Sequence, residues 1–234
     1  MTETGQLALA CAAFVGTHFL LSHPLRGILT KLMGEGAFRG LYSVVAFATF
    51  GWIILAWRAV PASIPAYLAG DGVWIAATVA MWLASVLLAG SFFGNPALPT
   101  AGARQSAMRN PVGVFAITRH PMMWSFAIWS LVHLLIWPTR ENHIVATAIL
   151  ILALGGALAQ DSKKAQLMGD AWRGWSRRTA FVPFAGQVGG RIPWAAALPG
   201  FVATGLGTLL WLLLTWAHNP LGGRLAAGIW RWVG

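Results

Sequence analysis

The chain has 234 residues, of which 57% are hydrophobic and only 9% charged, and its formal net charge is +10. An ordinary soluble domain carries about 25% charged residues, so this chain has too few polar side chains to cover a water-facing surface. The composition therefore excludes a typical soluble domain and favours a protein that lies in lipid.

Six stretches of the chain are long and apolar enough to predict membrane-crossing helices, each of which needs about 20 mainly apolar residues. In chain order they are residues 5–22, 40–57, 73–93, 121–137, 143–160 and 194–217. The third is apolar on every face, whereas the strands of a membrane barrel alternate between apolar and polar residues. We predict an all-α fold, a polytopic transmembrane bundle of about six helices that forms one integral membrane domain over residues 1–234.

The basic residues are spread unevenly over the segments that connect these helices. With the N-terminus outside, 12 of the 16 lysines and arginines fall on inside segments and four on outside segments, Arg224 among the latter. This split follows the positive-inside rule, so we predict an outside N-terminus and cytoplasmic main basic loops. Topology and attraction to anionic headgroups explain the positive charge, and no nucleic-acid partner is expected.

Two segments combine tryptophan with arginine, a pattern typical of the membrane interface. We predict that residues 161–191, the interfacial loop between two spans, include a helix that lies in the membrane interface with the rings of Trp172 and Trp175 in the headgroup zone. The alternative function for this loop is a lid or anion clamp over a buried site. Residues 219–234 are predicted to form a similar amphipathic tail on the opposite face.

Histidines are the candidates for chemistry, because ionisable groups inside a membrane are costly and usually functional. The six are His18, His23, His120, His133, His143 and His218. The last two fall at predicted helix ends near water. His18 and His133 lie deeper, among apolar and aromatic neighbours that would suit a large planar cofactor such as haem, whose iron needs axial donors. The alternative is that both make hydrogen bonds between helices.

Helical phase limits how these histidines could share a metal. His18 and His23 are separated by about 140° around a helix, and so are His120 and His133. A bis-histidine site therefore needs one ligand from each helix. The sequence contains no zinc motif and no nucleotide-binding motif. Its six acids are expected nearly all in loops, which argues against a proton-relay transporter.

Four stretches, taken in order, resemble the NnrU family of bacterial membrane proteins over about residues 7–190. They are GTHFLLSHPLRGIL from Gly16, GEGAFRGLYSVV from Gly34, ITRHPMMWSFAIWSLVHLL from Ile117, and QDSKK, GDAWRGW and TAFVPF from Gln160 onward. That family also includes the plant 15-cis-zeta-carotene isomerase, Z-ISO. Its bacterial members imply a location in the bacterial inner membrane and an association with denitrification.

The resemblance implies haem b held by two histidines, in a protein that isomerises one double bond of a polyene. The family pattern places these iron ligands at His18 and His133, and their difference in depth leaves His23 and His120 as alternatives. The plant relative has a redox-linked cysteine three residues before the second ligand, where this chain has Ser130. A cysteine-based ligand switch is therefore not expected here.

The leading hypothesis is a haem-binding isomerase in which basic side chains pair with the haem propionates and apolar ones wall the haem or a hydrophobic polyene substrate. The predicted propionate partners are Arg26, Arg39, Arg119 and Arg173, and the predicted wall is Met122, Phe126 and Trp129. The second hypothesis is a non-catalytic membrane scaffold or assembly factor without haem. The third is an isoprenylcysteine-type methyltransferase, suggested by Arg119-His120-Pro121 although Met123 replaces the tyrosine of that motif.

Overall fold

The computed structural model describes residues 1–222 and 226–233, and all regular elements in these ranges are helical. The all-α prediction is confirmed, while Arg224 and Gly234 of the predicted tail lie outside the described residues. The helices are α1 (Glu3–Ser22), α2 (Arg26–Ala59), α3 (Asp71–Gly90), α4 (Ala103–Met108), α5 (Val114–Ile117), α6 (Pro121–Ile136), α7 (Arg140–Met168), α8 (Asp170–Arg178), α9 (Ala185–Val188), a 3-10 turn (Trp194–Ala197), α10 (Phe201–Gly222) and α11 (Trp230–Val233).

Five helices of the described part of the chain are long and apolar enough to cross a membrane, namely α1, α2, α3, α7 and α10. The sixth apolar helix, α6, has only 16 residues. The prediction of about six apolar helices is therefore confirmed, and the protein is an integral membrane protein. The outside N-terminus and the bacterial inner membrane stay predictions.

Two helices begin at residues other than those predicted from the apolar pattern. The span predicted at residues 40–57 starts already at Arg26, and its helix is interrupted at Gly34, whose φ of 80° and ψ of 161° only glycine adopts readily. The span predicted from residue 194 starts at Phe201. Leu198 is extended, as expected for a residue that precedes a proline, and this separates the 3-10 turn from the helix.

The fifth predicted span continues two turns further than its apolar pattern indicates. α7 runs through the charged residues after Gln160 to Met168 and ends at Gly169, which has a positive φ of 56°. Asp161 is therefore helical. The expectation that the acids lie nearly all in loops is wrong, because all six acidic residues lie in helices.

The described residues form two compact units. The first unit comprises Met1–Ala69 and His133–Gly156. Its core joins α1 to α2 and α7, and the buried face of α1 repeats at three- and four-residue spacing, as a helix requires. That face consists of Leu7, Ala10, Cys11 and Phe14.

The second unit comprises Gly70–Val132 and Ala157–Gly234. In it α3 and α10 approach so closely that a Cβ placed on Gly207 would lie 2.5 Å from the Cα of Val86. Small residues let helix backbones approach in this way in membrane proteins. That residues 1–234 form a single domain stays a prediction.

The segment predicted to lie at the membrane interface is largely helical. α8 is amphipathic, with Arg173 exposed, but Trp172 and Trp175 are only 1% and 2% exposed and pack against Ala97 and Ala107. These rings therefore pack against their own chain, where their large apolar surface stabilises the fold. The interfacial position of residues 161–191 stays a prediction.

Candidate functional site

The candidate site of the second unit is built on the turn that precedes α6. Thr118 is extended, its hydroxyl donates to the carbonyl of Phe181 over 2.6 Å, and the amide of Arg119 donates to the carbonyl of Ala180 over 2.9 Å. Pro121 then opens α6, a position where its missing N–H costs nothing. These contacts hold the side chains of Arg119 and His120 beside the segment around Phe181.

Asp161 joins both of these side chains. Its carboxylate accepts from the guanidinium of Arg119, with Nε at 2.9 and 3.0 Å and Nη2 at 2.6 Å, in the two-pronged geometry that strengthens such pairs. The same carboxylate lies 2.8 Å from Nε2 of His120. The three groups therefore form a cluster in which one negative charge is shared by two partners.

His120 has one ring nitrogen paired and one unpaired. The ring is fully buried, and Nδ1 has no hydrogen-bond partner among the described residues. A carboxylate can only accept, so Nε2 carries the proton, and in the neutral ring Nδ1 presents a lone pair. This arrangement of carboxylate, imidazole and free nitrogen is the one that orients histidines as metal ligands or as bases.

Aromatic rings enclose the cluster. The ring of His120 lies 5.5 Å from that of Phe181 and 6.1 Å from that of Trp172, measured between centroids. The guanidinium of Arg119 lies 5.2 Å from the centroid of Phe181, within the range of a cation–π contact. The low-polarity enclosure fixes the imidazole in one orientation.

A small cavity adjoins His120. Its volume is ≈ 20 Å³, and it is lined by Asn95, Ala97, Leu98, His120, Met122, Met123 and Gln160. α7 holds the loop that forms one wall, because Gln160 donates to the carbonyl of Ala97 and Lys164 donates to those of Pro96 and Leu98. Met122, predicted to wall a haem, thus lies beside His120 in this cavity.

His18 lies in the first unit, near the end of α1. Its Nδ1 lies 2.7 Å from the carbonyl of Phe14, so Nδ1 donates and Nε2 carries the lone pair. The rings of Phe14 and Tyr42 lie 4.3 and 5.4 Å from the imidazole. His143 and His218 make the same bond to the carbonyl four residues back, so this bond alone does not distinguish His18.

His133 lies in the last turn of α6, where its carbonyl accepts from the side chain of Asn142 over 2.7 Å. Asn142 lies near the start of α7. Phe19, which follows His18 in the chain, packs on Gly155 further along α7. Asn142 and Gly155 are separated by about 20 Å along the axis at 1.5 Å per residue. The pairing of His18 and His133 on one iron stays a prediction, which now has to bridge this difference in level.

The remaining predicted site residues have the following surroundings. His23 caps α1 and is exposed, Phe126 is 42% exposed, and Trp129 is half-buried. Ser130 is buried and donates to the carbonyl of Phe126, so it packs as a helix residue.

Three of the four arginines predicted to bind propionates already pair with carboxylates of this chain. They are Arg26 with Glu35, Arg119 with Asp161 and Arg173 with Asp170. The hydrogen bond from Arg173 lowers the pKa of the exposed carboxyl of Asp170. Arg39 is exposed. Any propionate would therefore have to compete with an internal carboxylate, except at Arg39.

Asp161, Phe181 and Trp172 are the site residues that the sequence analysis missed. They lie more than 40 residues from Arg119 and His120, and no short motif joins them. One signal was available, because a carboxylate directly after an apolar run can belong to the membrane helix, where such groups are usually functional.

The apolar helices and the partly buried ionic cluster define a polytopic helical membrane protein. The chain belongs to the NnrU family: residues 6–225 match the family described as NnrU protein. The resemblance predicted from the sequence is thereby confirmed.

The chain is also similar to a curated plant protein, the 15-cis-zeta-carotene isomerase, chloroplastic, of Arabidopsis thaliana. The identity is 31% over 180 residues, which cover 71% of this chain and 46% of the relative. The chain thus spans less than half the length of that relative. No solved structure matches the chain.

Proposed function

We propose that this protein binds haem b in the membrane and isomerises a cis double bond of a hydrophobic polyene. The observation that carries the proposal is the 31% identity to a carotene isomerase, which extends over 71% of this chain. The chain spans only 46% of that relative. The substrate and the activity are therefore proposals for this chain.

His18 fits the role of one axial ligand. Its Nδ1 is engaged by a backbone carbonyl, which fixes the tautomer and leaves Nε2 with the lone pair that a metal needs. Phe14 and Tyr42 limit the rotation of the ring. His133 is the proposed second ligand, and His23 and His120 are the alternatives.

Haem, when bound, supplies a Lewis-acidic or one-electron centre that weakens one polyene double bond. The protein's own part is positioning and exclusion of water. Apolar helices give a polyene an environment without hydrogen-bonding groups, and Phe126 and Trp129 are the proposed contacts with its chain. Positioning of the polyene contributes more than exclusion of water, since a hydrocarbon has no polar group that could be stabilised electrostatically.

The ligand assignment is tested by the absorption spectrum of detergent-purified protein loaded with haem. We expect a Soret band that His18→Ala and His133→Ala each remove or displace. His143→Ala and His218→Ala are matched controls, because their rings make the same bond to the carbonyl four residues back. A band lost in His23→Ala or His120→Ala, and kept in His133→Ala, would reassign the second ligand.

The activity is tested with 15-cis-zeta-carotene in liposomes that contain the haem-loaded protein, in the dark, with products separated by chromatography. We expect conversion of the 15-cis double bond to trans by the haem-loaded protein. His18→Ala and protein without haem should show no conversion. A haem protein that leaves the polyene unchanged would contradict the isomerase and favour a haem-binding factor linked to denitrification.

The methyltransferase hypothesis receives less support from the site. Its signature residue Arg119 would have to hold an anionic cofactor group, yet Nε and Nη2 of its guanidinium already donate to Asp161. Titration of the protein with S-adenosylmethionine distinguishes this hypothesis, since binding there is not expected.

A further inference from the structure

We propose that the cavity beside His120 binds a single Cu(I) ion, held by Nδ1 of His120 and the thioether sulfurs of Met122 and Met123. This site belongs to the second unit, whereas His18 and His133 belong to the first, so the proposal is independent of haem bound by those two histidines.

The first reason is the unpaired nitrogen. Nε2 of His120 donates to Asp161, and Nδ1, with its lone pair, is buried without a partner among the described residues. Leaving a buried acceptor unsatisfied is unfavourable, and such groups normally have a partner in the native state. The structure thus marks a position where a hydrogen-bond donor or a metal is required.

The second reason is what faces that nitrogen. Two polar side chains line the cavity. Oδ1 of Asn95 accepts from the backbone N–H of Ala97, and Nε2 of Gln160 donates to the carbonyl of Ala97. These two polar side chains are engaged in holding the loop. The atoms of the lining that can give an electron pair to a metal and are not engaged in these bonds are Nδ1 of His120, Oε1 of Gln160 and the two sulfurs.

The donor set selects the metal. Thioethers are soft ligands that favour Cu(I), whereas magnesium, calcium and manganese favour oxygen. Structural zinc requires four nitrogen, thiolate or carboxylate ligands, and the described residues contain no group of three histidine, cysteine or acidic side chains. Arg119 balances the charge of Asp161, so a monovalent ion also adds the smallest charge to apolar surroundings.

Asp161 acts as a positioning residue in this site. It holds the proton on Nε2 and thereby leaves the lone pair on Nδ1 of a ring that lines the cavity. Histidine ligands of metals commonly have such a carboxylate behind them, and its removal weakens metal affinity by about 10- to 100-fold. The packing alternative is that the two methionines only fill space, as flexible thioether side chains often do.

The experiment is an anaerobic titration of the purified, haem-free full-length protein with Cu(I), in competition with a chromogenic Cu(I) chelator. We expect one ion per chain and an X-ray absorption spectrum with mixed nitrogen and sulfur coordination. The double variant Met122→Leu/Met123→Leu keeps side-chain volume and should weaken binding at least tenfold. Asp161→Asn should weaken it by about 10- to 100-fold.

Two controls make the result specific. Met81→Leu changes a methionine of α3 outside the cavity lining and should bind Cu(I) like the unaltered protein. His18→Ala should also keep Cu(I) affinity while losing haem, so failure of one proposal leaves the other testable. The copper site is refuted if no Cu(I) binds, if the methionine double variant binds unchanged, or if Zn(II) binds in preference.

Discussion

Replacing Asp161 with alanine is expected to lower the free energy of unfolding by about 3 kcal/mol, the lower end of the range for breaking a buried ion pair, because Asp161 itself is 20% exposed. The side chains of Arg119 and His120 are 15% and 0% exposed, and both use this carboxylate. Without it, a guanidinium and an imidazole N–H stay inside the protein with no acceptor. The cost is therefore that of an uncompensated buried charge as well as that of lost hydrogen bonds.

The measurement is equilibrium unfolding in mixed detergent micelles, followed by tryptophan fluorescence. Asp170→Ala is the matched control, because Asp170 also pairs with an arginine at 2.7 Å but is 93% exposed. An exposed pair contributes little, so this variant should unfold like the unaltered protein. Equal effects at the two positions would contradict the view that Asp161 anchors the turn before α6.

Gly207→Ala is expected to destabilise the second unit by about 3 kcal/mol, the upper part of the usual cost of overpacking. The added Cβ would lie 2.5 Å from Cα and 2.8 Å from N of Val86, and a backbone cannot rotate away as a side chain can. α10 would have to move off α3, which removes contacts along both helices.

Gly205→Ala, two residues earlier in the same helix, separates this effect from helix propensity. A Cβ on Gly205 meets nothing within 4 Å. Alanine is the better helix former, so this variant should be as stable as the unaltered protein or slightly more stable. Similar losses for the two variants would show that α3 and α10 do not depend on the close approach at Gly207. Thermal unfolding of the two proteins side by side gives the comparison.

The histidine assignments illustrate how far a pattern extends. A sequence gives depth along one helix but not the level at which neighbouring helices meet. His18 and His133 were expected to differ in depth, and α7 places Gly155, which contacts Phe19, about 20 Å along its axis from Asn142, which binds the carbonyl of His133. His120, which the sequence left as an alternative, is the histidine with a buried, unpaired nitrogen.

The sequence by itself determined the helical membrane class, the approximate position of the apolar helices and the family. These properties depend on composition and on runs of about 20 apolar residues, which every membrane helix must have because lipid offers no hydrogen bonds. Only the tertiary structure decided that Trp172 turns inward and that Asp161 joins Arg119 and His120. Those contacts link residues about 40 or more positions apart, and their energy depends on burial that no local pattern encodes.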